Sequence, residues 1–132
     1  MRLVHRIALC TLCVLASTVA RAQVQTGSIA GVVTDSSNLV LPGATVSMSG
    51  EKLIGGVQTQ TTDATGAYAF TKLPLGIYTV CQVPVAGWMQ TGPKAAVGTA
   101  CPGGTGWSLE VPASMPALWY GSIDFGNAGI AQ

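Results

Sequence analysis

The sequence predicts an all-β fold, a single β-sandwich of about seven to eight antiparallel strands. Residues 61–80, TTDATGAYAFTKLPLGIYTV, alternate large with small or polar residues on both sides of a Leu-Pro-Leu-Gly turn. This pattern predicts an antiparallel hairpin with one buried face. Short alternating runs separated by Gly, Pro, Asn and Asp recur along the chain, and no window shows a sustained helical period.

The first 22 residues predict a signal peptide, so the sandwich would occupy residues 23–132. A basic start precedes the apolar run Ile7–Val19, and Ala20–Ala22 forms an A-x-A cleavage site. The apolar run is shorter than the roughly 20 residues that a membrane-spanning helix needs. We therefore expect a protein secreted to the periplasm or the exterior, with no stable membrane insertion after cleavage.

Cleavage would leave a mildly acidic chain without arginine or histidine. All three arginines and the one histidine precede residue 23, and the remainder has three lysines against five carboxylates, a formal net charge of −2. Such a chain offers no phosphate-binding patch, which argues against a nucleic-acid partner. Nucleophilic catalysis lacks a histidine base, and nothing marks two carboxylates as a hydrolytic pair. The sequence therefore predicts no enzyme and no cofactor.

Two cysteines remain after cleavage, Cys81 and Cys101, in a chain bound for an oxidising compartment. A disulfide between them is the simplest interpretation. It would close a loop of about 20 residues and contribute about 3 kcal/mol in the chain-entropy description. Two unpaired buried thiols are the alternative, and a metal site is weaker because zinc takes four ligands.

Three strands are predicted before the hairpin. Residues 28–34 place Ile29 and Val33 on one face, and the turn cluster Asp-Ser-Ser-Asn follows. Residues 44–49 alternate Ala, Val and Met with Thr and Ser. Residues 57–62 are rich in Thr and Gln, which favours an edge or a solvated face.

The segment after the hairpin has a less regular pattern. Residues 84–93 predict a short extended piece, and residues 94–104 predict a loop of Ala, Gly and Pro held by Cys101. An alternating run predicts a strand at Trp107–Val111, and the last strand is predicted at Trp119–Phe125. The predicted core contains Ile29, Val33, Val46, Phe70, Leu73, Tyr78 and Val80.

These motifs resemble two related groups of secreted modules. Residues 27–80 contain, in order, GSIAGVVTD, LPGATVSM, TTDATGAYAF and LPLGIYTV, which resembles the carboxypeptidase regulatory-like domain. The segments Trp88–Pro93 and Ile123–Asn127 resemble the B-type repeats of bacterial surface adhesins, including the serine-aspartate-repeat B and collagen-adhesin B domains. The resemblance implies a prealbumin-like or immunoglobulin-like sandwich that serves as a spacer or interaction module.

Collagen-adhesin B domains often carry an isopeptide bond between a first-strand lysine and a last-strand asparagine, with an acidic residue nearby. Asn127 stands in the matching place and Glu110 is available. The first strand has Ser28, Ala30 and Val32 but no lysine. We therefore expect no isopeptide bond in this chain.

Serine-aspartate-repeat B domains bind calcium through clustered carboxylates, and calcium takes six to eight oxygen ligands. Asp35 and Asp63 each stand alone in a turn sequence, where aspartate accepts hydrogen bonds from its own backbone. We interpret both as turn formers and assign no metal ligand, although the sequence leaves calcium binding open.

Two functions are favoured on these grounds over a third, a plug-like domain that acts with an outer-membrane receptor and shares the motifs of the first half. The first is a non-catalytic structural or interaction module of the bacterial cell envelope or exterior, either an adhesin-type spacer or a protein-binding domain. The alternative is a carbohydrate-binding module that uses exposed aromatic residues near turns or strand ends, namely Trp88, Trp119 and Tyr120. Trp107 alternates with Leu109 and is predicted to face the core. The partner is then a protein or a glycan of the cell envelope, and the oligomeric state stays open.

Overall fold

The computed structural model describes residues 26–94, 98–112 and 119–130, with the backbone alone for Trp119 and Tyr120. No helix occurs in this part of the chain. Its ten strands are β1 (Gly27–Asp35), β2 (Thr45–Ser49), β3 (Gln58–Thr61), β4 (Ala67–Leu73), β5 (Gly76–Gln82), β6 (Trp88–Gly92), β7 (Thr99–Cys101), β8 (Gly104–Val111), β9 (Trp119–Tyr120) and β10 (Phe125–Gly129). The predicted all-β class is confirmed, and the strands beyond the expected seven or eight are short.

The strands form two five-stranded sheets. Sheet 1 has the order β4-β1-β10-β6, with β9 beside β1, and sheet 2 has the order β3-β2-β5-β8-β7. β9 and β10 run parallel to β1, whereas the other pairings are antiparallel. The parallel pairs arise because the chain leaves β8 in sheet 2 and re-enters sheet 1 beside the start of β1. From there it follows β1 in the same direction.

The segment between β9 and β10 also contacts β1, but through hydrogen bonds that do not follow the regular strand pattern. The N–H of Ile123 donates to the carbonyl of Ala30 (3.1 Å), and the Asp124 carboxylate accepts from the N–H of Val32 (2.8 Å). A Cβ at Gly31 would lie 2.0 Å from the Ile123 oxygen, so only glycine permits this approach.

The seven residues predicted to form the core are all buried, which confirms the predicted core. Side chains from both sheets complete this core, including Met48, Tyr68, Val111, Ile123 and Phe125. Tyr68 packs edge-on against Phe70, with ring centroids 5.9 Å apart. The two sheets are therefore held face to face by one continuous apolar layer.

The predicted hairpin at residues 61–80 is wrong, although both of its strands exist. β4 pairs with β1 in sheet 1, and β5 pairs with β2 and β8 in sheet 2. The Leu-Pro-Leu-Gly turn therefore arches from one sheet to the other. The alternating pattern identifies which face of each strand is buried, but two strands that face each other across a core show the same pattern as two strands in one sheet.

The second half also differs from its predicted elements. The predicted loop at residues 94–104 contains β7, which pairs with the start of β8. The predicted last strand divides into β9 and β10, and β10 continues to Gly129. Phe125 and Asn127 face the core in β10, and the small residues Gly126, Ala128 and Gly129 hide the alternation. The edge position predicted for the Thr- and Gln-rich strand is confirmed, because β3 ends sheet 2 and its four residues are exposed.

Candidate functional site

A cleft of about 440 Å³ opens at one edge of the sandwich, between β6 and the β7–β8 turn. It forms where sheet 2 splays apart. β5 pairs with β8 as far as Val80 and Trp107, and its last residues, Cys81 and Gln82, remain paired with β2 alone. The lining includes Gln82, Trp88, Gln90, Lys94, Thr105 and Asn127.

Two buried amides lie at the bottom of this cleft. Gln82 Nε2 donates to Asn127 Oδ1 at 2.8 Å, and Asn127 Nδ2 donates back to Gln82 Oε1 at 3.2 Å. Asn127 Nδ2 also donates to the carbonyl of Thr34 at 3.3 Å. The exposed fractions are 3% for Gln82 and 1% for Asn127. The pair joins β5 of sheet 2 to β10 of sheet 1, so it connects the two sheets by polar contacts inside the core.

A third amide crosses the cleft. Gln90 in β6 donates through Nε2 to the carbonyls of Thr105 and Gly92, and its Oε1 accepts from the N–H of Thr105. The side chain therefore supplies both hydrogen bonds that a neighbouring strand would offer to Thr105. A Cβ at Gly104 would lie 1.9 Å from Gln90 Oε1, so glycine is needed for this bridge.

Trp88 stands at the rim of the cleft, half-buried at the start of β6. It is the one member of the predicted aromatic set whose side chain the structure describes. Trp107 is partly buried against the core, as predicted, and its indole N–H donates to the carbonyl of Asp124 at 3.1 Å. The two tryptophans therefore differ in role, because only Trp88 faces a space that a ligand can enter.

Trp119 and Tyr120 do not join Trp88 in one site. Their side chains lie outside the described residues, but their backbones pair with Ser28 and Ile29 at the start of β1. Trp88 pairs with Gly129 of β10. Gly129 lies two residues beyond Asn127, which is opposite Asp35 at the other end of β1. At about 3.3 Å per strand residue, these positions are more than about 20 Å apart along the sheet. The backbone positions of the three predicted aromatic residues therefore lie at opposite ends of sheet 1.

Cys81 and Cys101 form the predicted disulfide, with a Cα–Cα distance of 5.8 Å. The bridge joins β5 to β7, although β8 lies between them in the sheet. It passes over Gly106 of β8, where a Cβ would lie 2.3 Å from Cys101 Sγ. The glycine in β8 is thus what lets the disulfide span three strands.

The two turn aspartates accept backbone hydrogen bonds, as expected for turn formers. Asp35 Oδ1 accepts from the N–H groups of Ser37 and Leu39, at 2.7 and 2.9 Å. Asp63 Oδ1 accepts from the hydroxyl and N–H of Thr65, which with the Ala67 N–H lower the pKa of the carboxyl. Within the described residues, no three side chains of His, Cys, Asp or Glu come together as metal ligands.

The sequence resemblance is confirmed for the first part of the sandwich. Residues 28–83 match the carboxypeptidase regulatory-like domain. That segment runs from the second residue of β1 to just past the end of β5, so it includes Cys81 and Gln82. Most of the cleft, including Trp88, Gln90 and Asn127, lies in the strands that follow it.

Solved structures of low sequence identity share the fold of the whole sandwich. The Bacillus anthracis TIE protein has a TM-score of 0.58 at 21% identity over 80% of this chain. The full-length major pilin SpaD from Corynebacterium diphtheriae has a TM-score of 0.57 at 15% identity over 80% of this chain, and a streptococcal ancillary pilin has 0.54 at 19% over 83%.

This chain spans 17% of the TIE protein, 30% of SpaD and 34% of the ancillary pilin. It therefore corresponds to one part of each of those longer chains. No curated protein sequence is significantly similar to it. The described residues contain no helix long and apolar enough to span a membrane.

Proposed function

We propose that this chain is a non-catalytic structural module that works outside the cell, as a spacer that carries tension along its length. The observation that carries the proposal is the pairing of the first strand with the last. β1 and β10 are parallel neighbours, with Val33, Thr34 and Asp35 opposite Phe125, Gly126 and Asn127. The segment before β10 continues this contact along β1 through β9 and through Ile123 and Asp124.

This arrangement determines how the domain responds to a pull on its two ends. Tension draws the start of β1 and the end of β10 in opposite directions along the same axis. Because the strands are parallel neighbours, their hydrogen bonds are loaded together in shear, and none can break alone. A domain built in this way resists extension better than one whose terminal strands peel apart one bond at a time.

The comparisons and the sequence support the same role. A major pilin and an ancillary pilin share the fold, and a structural module is the role that this likeness favours. The predicted signal peptide at residues 1–22, which lies outside the described residues, would take the chain to that location. Residues 23–132 contain no histidine, which favours a structural role over acid–base catalysis.

Export is the first requirement of the proposal. Full-length chain expressed in a bacterial host should appear outside the cytoplasm with Gln23 as its first residue and no free thiol. Mass spectrometry of the intact product, before and after thiol alkylation, measures both. A product that stays in the cytoplasm with residues 1–22 attached would contradict an extracellular role.

Carbohydrate binding is the second candidate function. The observation that favours it is the half-buried position of Trp88 at the mouth of the cleft. An aromatic face beside convergent polar groups is a common composition for a ligand site. A spacer that also held a glycan would combine the two functions in one sandwich.

A further inference from the structure

The cleft beside Trp88 has the size and composition of a small-molecule site. Its volume of about 440 Å³ falls within the range of roughly 300–1,000 Å³ that is typical of ligand pockets. Pro84, Val85, Trp88 and Ile130 contribute apolar groups to the lining, and glutamine, asparagine and threonine side chains contribute amide and hydroxyl groups. This combination allows a ligand to bury a ring face while its polar groups are paired.

Hydrogen-bonding capacity remains at the polar part of the cleft. A primary amide offers two N–H donors and two oxygen lone pairs. Gln90 uses both donors on the carbonyls of Thr105 and Gly92, and its oxygen accepts a single bond from Thr105, so one lone pair stays unused. The amides of Gln82 and Asn127 are almost fully buried and pair with each other at the bottom of the cleft. A ligand that carries hydroxyl groups suits this surface, because a hydroxyl can donate to the Gln90 oxygen.

The charge and the shape of the cleft further restrict the class of ligand that fits. Lys94 is the only charged residue in the described lining, and no carboxylate is present there. Gln90 crosses the cleft from β6 to Thr105, so an extended peptide lying along β6 would have to break that bridge. A single ring that enters beside Trp88 leaves the bridge intact.

We propose that this cleft binds one sugar ring at the end of a glycan, with a ring face against Trp88 and a hydroxyl group that donates to the side-chain oxygen of Gln90. The proposal rests on the second candidate function and assigns it a site. It makes Trp88 the contact that determines affinity, and Gln90 the contact that orients the ring.

Nuclear magnetic resonance of the ¹⁵N-labelled chain, residues 23–132, tests this directly. The probes are maltohexaose, cellohexaose, chitohexaose and a muropeptide digest of peptidoglycan. One of them should give saturable shifts of the Trp88 indole N–H and the side-chain amide of Gln90. The Trp107 indole N–H, which donates to Asp124 outside the cleft, serves as the internal reference and should not shift.

Three variants show whether the site is the cleft. Trp88→Ala should weaken binding at least tenfold, and Trp88→Phe, which keeps a flat ring, should retain it within about threefold. The matched control is Leu39→Ala, which removes a side chain that is 65% exposed in the β1–β2 loop and should change affinity less than twofold. The dispersion of the amide spectrum shows that each variant is folded.

The possible results separate this proposal from the broader one. If a glycan binds with equal affinity to folded Trp88→Ala, carbohydrate binding stands and the cleft assignment is overturned. If no probe produces a saturable shift, both are overturned. If the extended peptide Ac-TVTVTV-NH₂ shifts the cleft signals and the glycans do not, the cleft binds peptide and the proposal is wrong.

Discussion

Gly106 is the residue on which the geometry of the disulfide depends. A Cβ at this position would lie 2.2 Å from the carbonyl oxygen of Val80 and 2.3 Å from Cys101 Sγ. The first distance is set by the pairing of β5 with β8, and the second by the bridge above it. Neither neighbour is the free end of a flexible side chain, so an added methyl group must displace the backbone or the disulfide.

Gly106→Ala should therefore destabilise the domain by about 2 kcal/mol or more, as overpacked sites do. The matched control is Gly129→Ala in β10, where no atom lies within 4 Å of the added Cβ. That change should stay within about 0.5 kcal/mol of the parent chain. Urea unfolding followed by tryptophan fluorescence gives both values, and equal effects of the two substitutions would contradict the packing argument.

Tyr68 is a second residue with a defined energetic role. Its hydroxyl donates to the buried carbonyl of Ile123, where the chain crosses from β9 to β10. Burial, with a smaller contribution from the charge of Asp124, raises the pKa of Tyr68 well above its usual value. The folded state therefore holds the tyrosine proton more tightly than the unfolded state does.

Tyr68→Phe should cost about 1 kcal/mol near neutral pH, because the Ile123 carbonyl loses its donor. A folded pKa above the unfolded value of about 10 gives stability that is complete below pH 10 and is lost as the pH rises toward the folded pKa. The stability difference between the parent chain and Tyr68→Phe should therefore shrink above pH 10. Urea unfolding at pH 7, 9, 10 and 11 measures it, and a difference that grows with pH would contradict the assigned shift.

At the scale of elements, the amide pair Gln82–Asn127 connects β5 to β10 across the core. Each amide satisfies the other in a place that water does not reach, and no described buried side-chain polar atom lacks a partner. Removing one amide leaves the other without its partner, whereas removing both leaves no such group. The pair should therefore behave as one unit.

Gln82→Leu and Asn127→Leu should each destabilise the domain by about 1–3 kcal/mol, the usual cost of an unpaired buried polar group. The double substitution should cost at least about 1 kcal/mol less than the sum of the two. Chemical unfolding of the four proteins completes the cycle. Strictly additive effects would show that the amides act independently.

The strands themselves show what local pattern predicts and what it does not. The alternation around Tyr68 and Tyr78 was sufficient to predict both strands and their buried faces, and all seven proposed core residues are buried. It did not predict that β4 and β5 belong to different sheets, because strand partners are set by long-range packing. β10 was placed too early because Gly126 and Ala128 give no contrast with an exposed polar face.

The candidate site was only partly predictable for a related reason. The disulfide followed from having two cysteines in an exported chain, and Trp88 was recognised by residue type. Gln82 and Asn127 are 45 positions apart and belong to residue types that are mostly exposed, so no local signal marked their pairing. The cleft exists because β5 and β8 separate after Val80 and Trp107. This separation depends on the register of β2, β5 and β8, which no local pattern predicts.

At the scale of the whole molecule, the disulfide fixes β7 and the end of β5 without joining the two sheets. Its contribution to stability comes from restricting the unfolded chain, and its 20-residue separation corresponds to about 3 kcal/mol. The bridge should therefore raise the stability of the whole sandwich. It should not carry the force applied to the two ends, which passes through the pair of β1 and β10.

The double variant Cys81→Ala/Cys101→Ala should accordingly unfold at lower urea concentration, with a loss of about 3 kcal/mol. The fold should persist, because the apolar layer between the sheets is unchanged. Equilibrium unfolding measures the loss, and the amide spectrum reports the fold. A variant that is unfolded in buffer would show that the apolar layer cannot hold the fold without the disulfide, which would contradict this prediction.

The parallel pair of β1 and β10 gives the molecule its proposed load path, since the force enters at one end of β1 and leaves at the opposite end of β10. The disulfide lies wholly within sheet 2 and takes no part in that pairing. Resistance to tension and disulfide stabilisation should therefore be separable in one molecule.

Single-molecule pulling on the two ends of the domain, oxidised and then reduced, measures this most directly. We expect one abrupt rupture at the same force in both states, followed by about 70 Å of additional extension after reduction, when the 20-residue loop opens. Gradual unfolding in several low-force steps, or a rupture force that falls on reduction, would contradict a load path through β1 and β10.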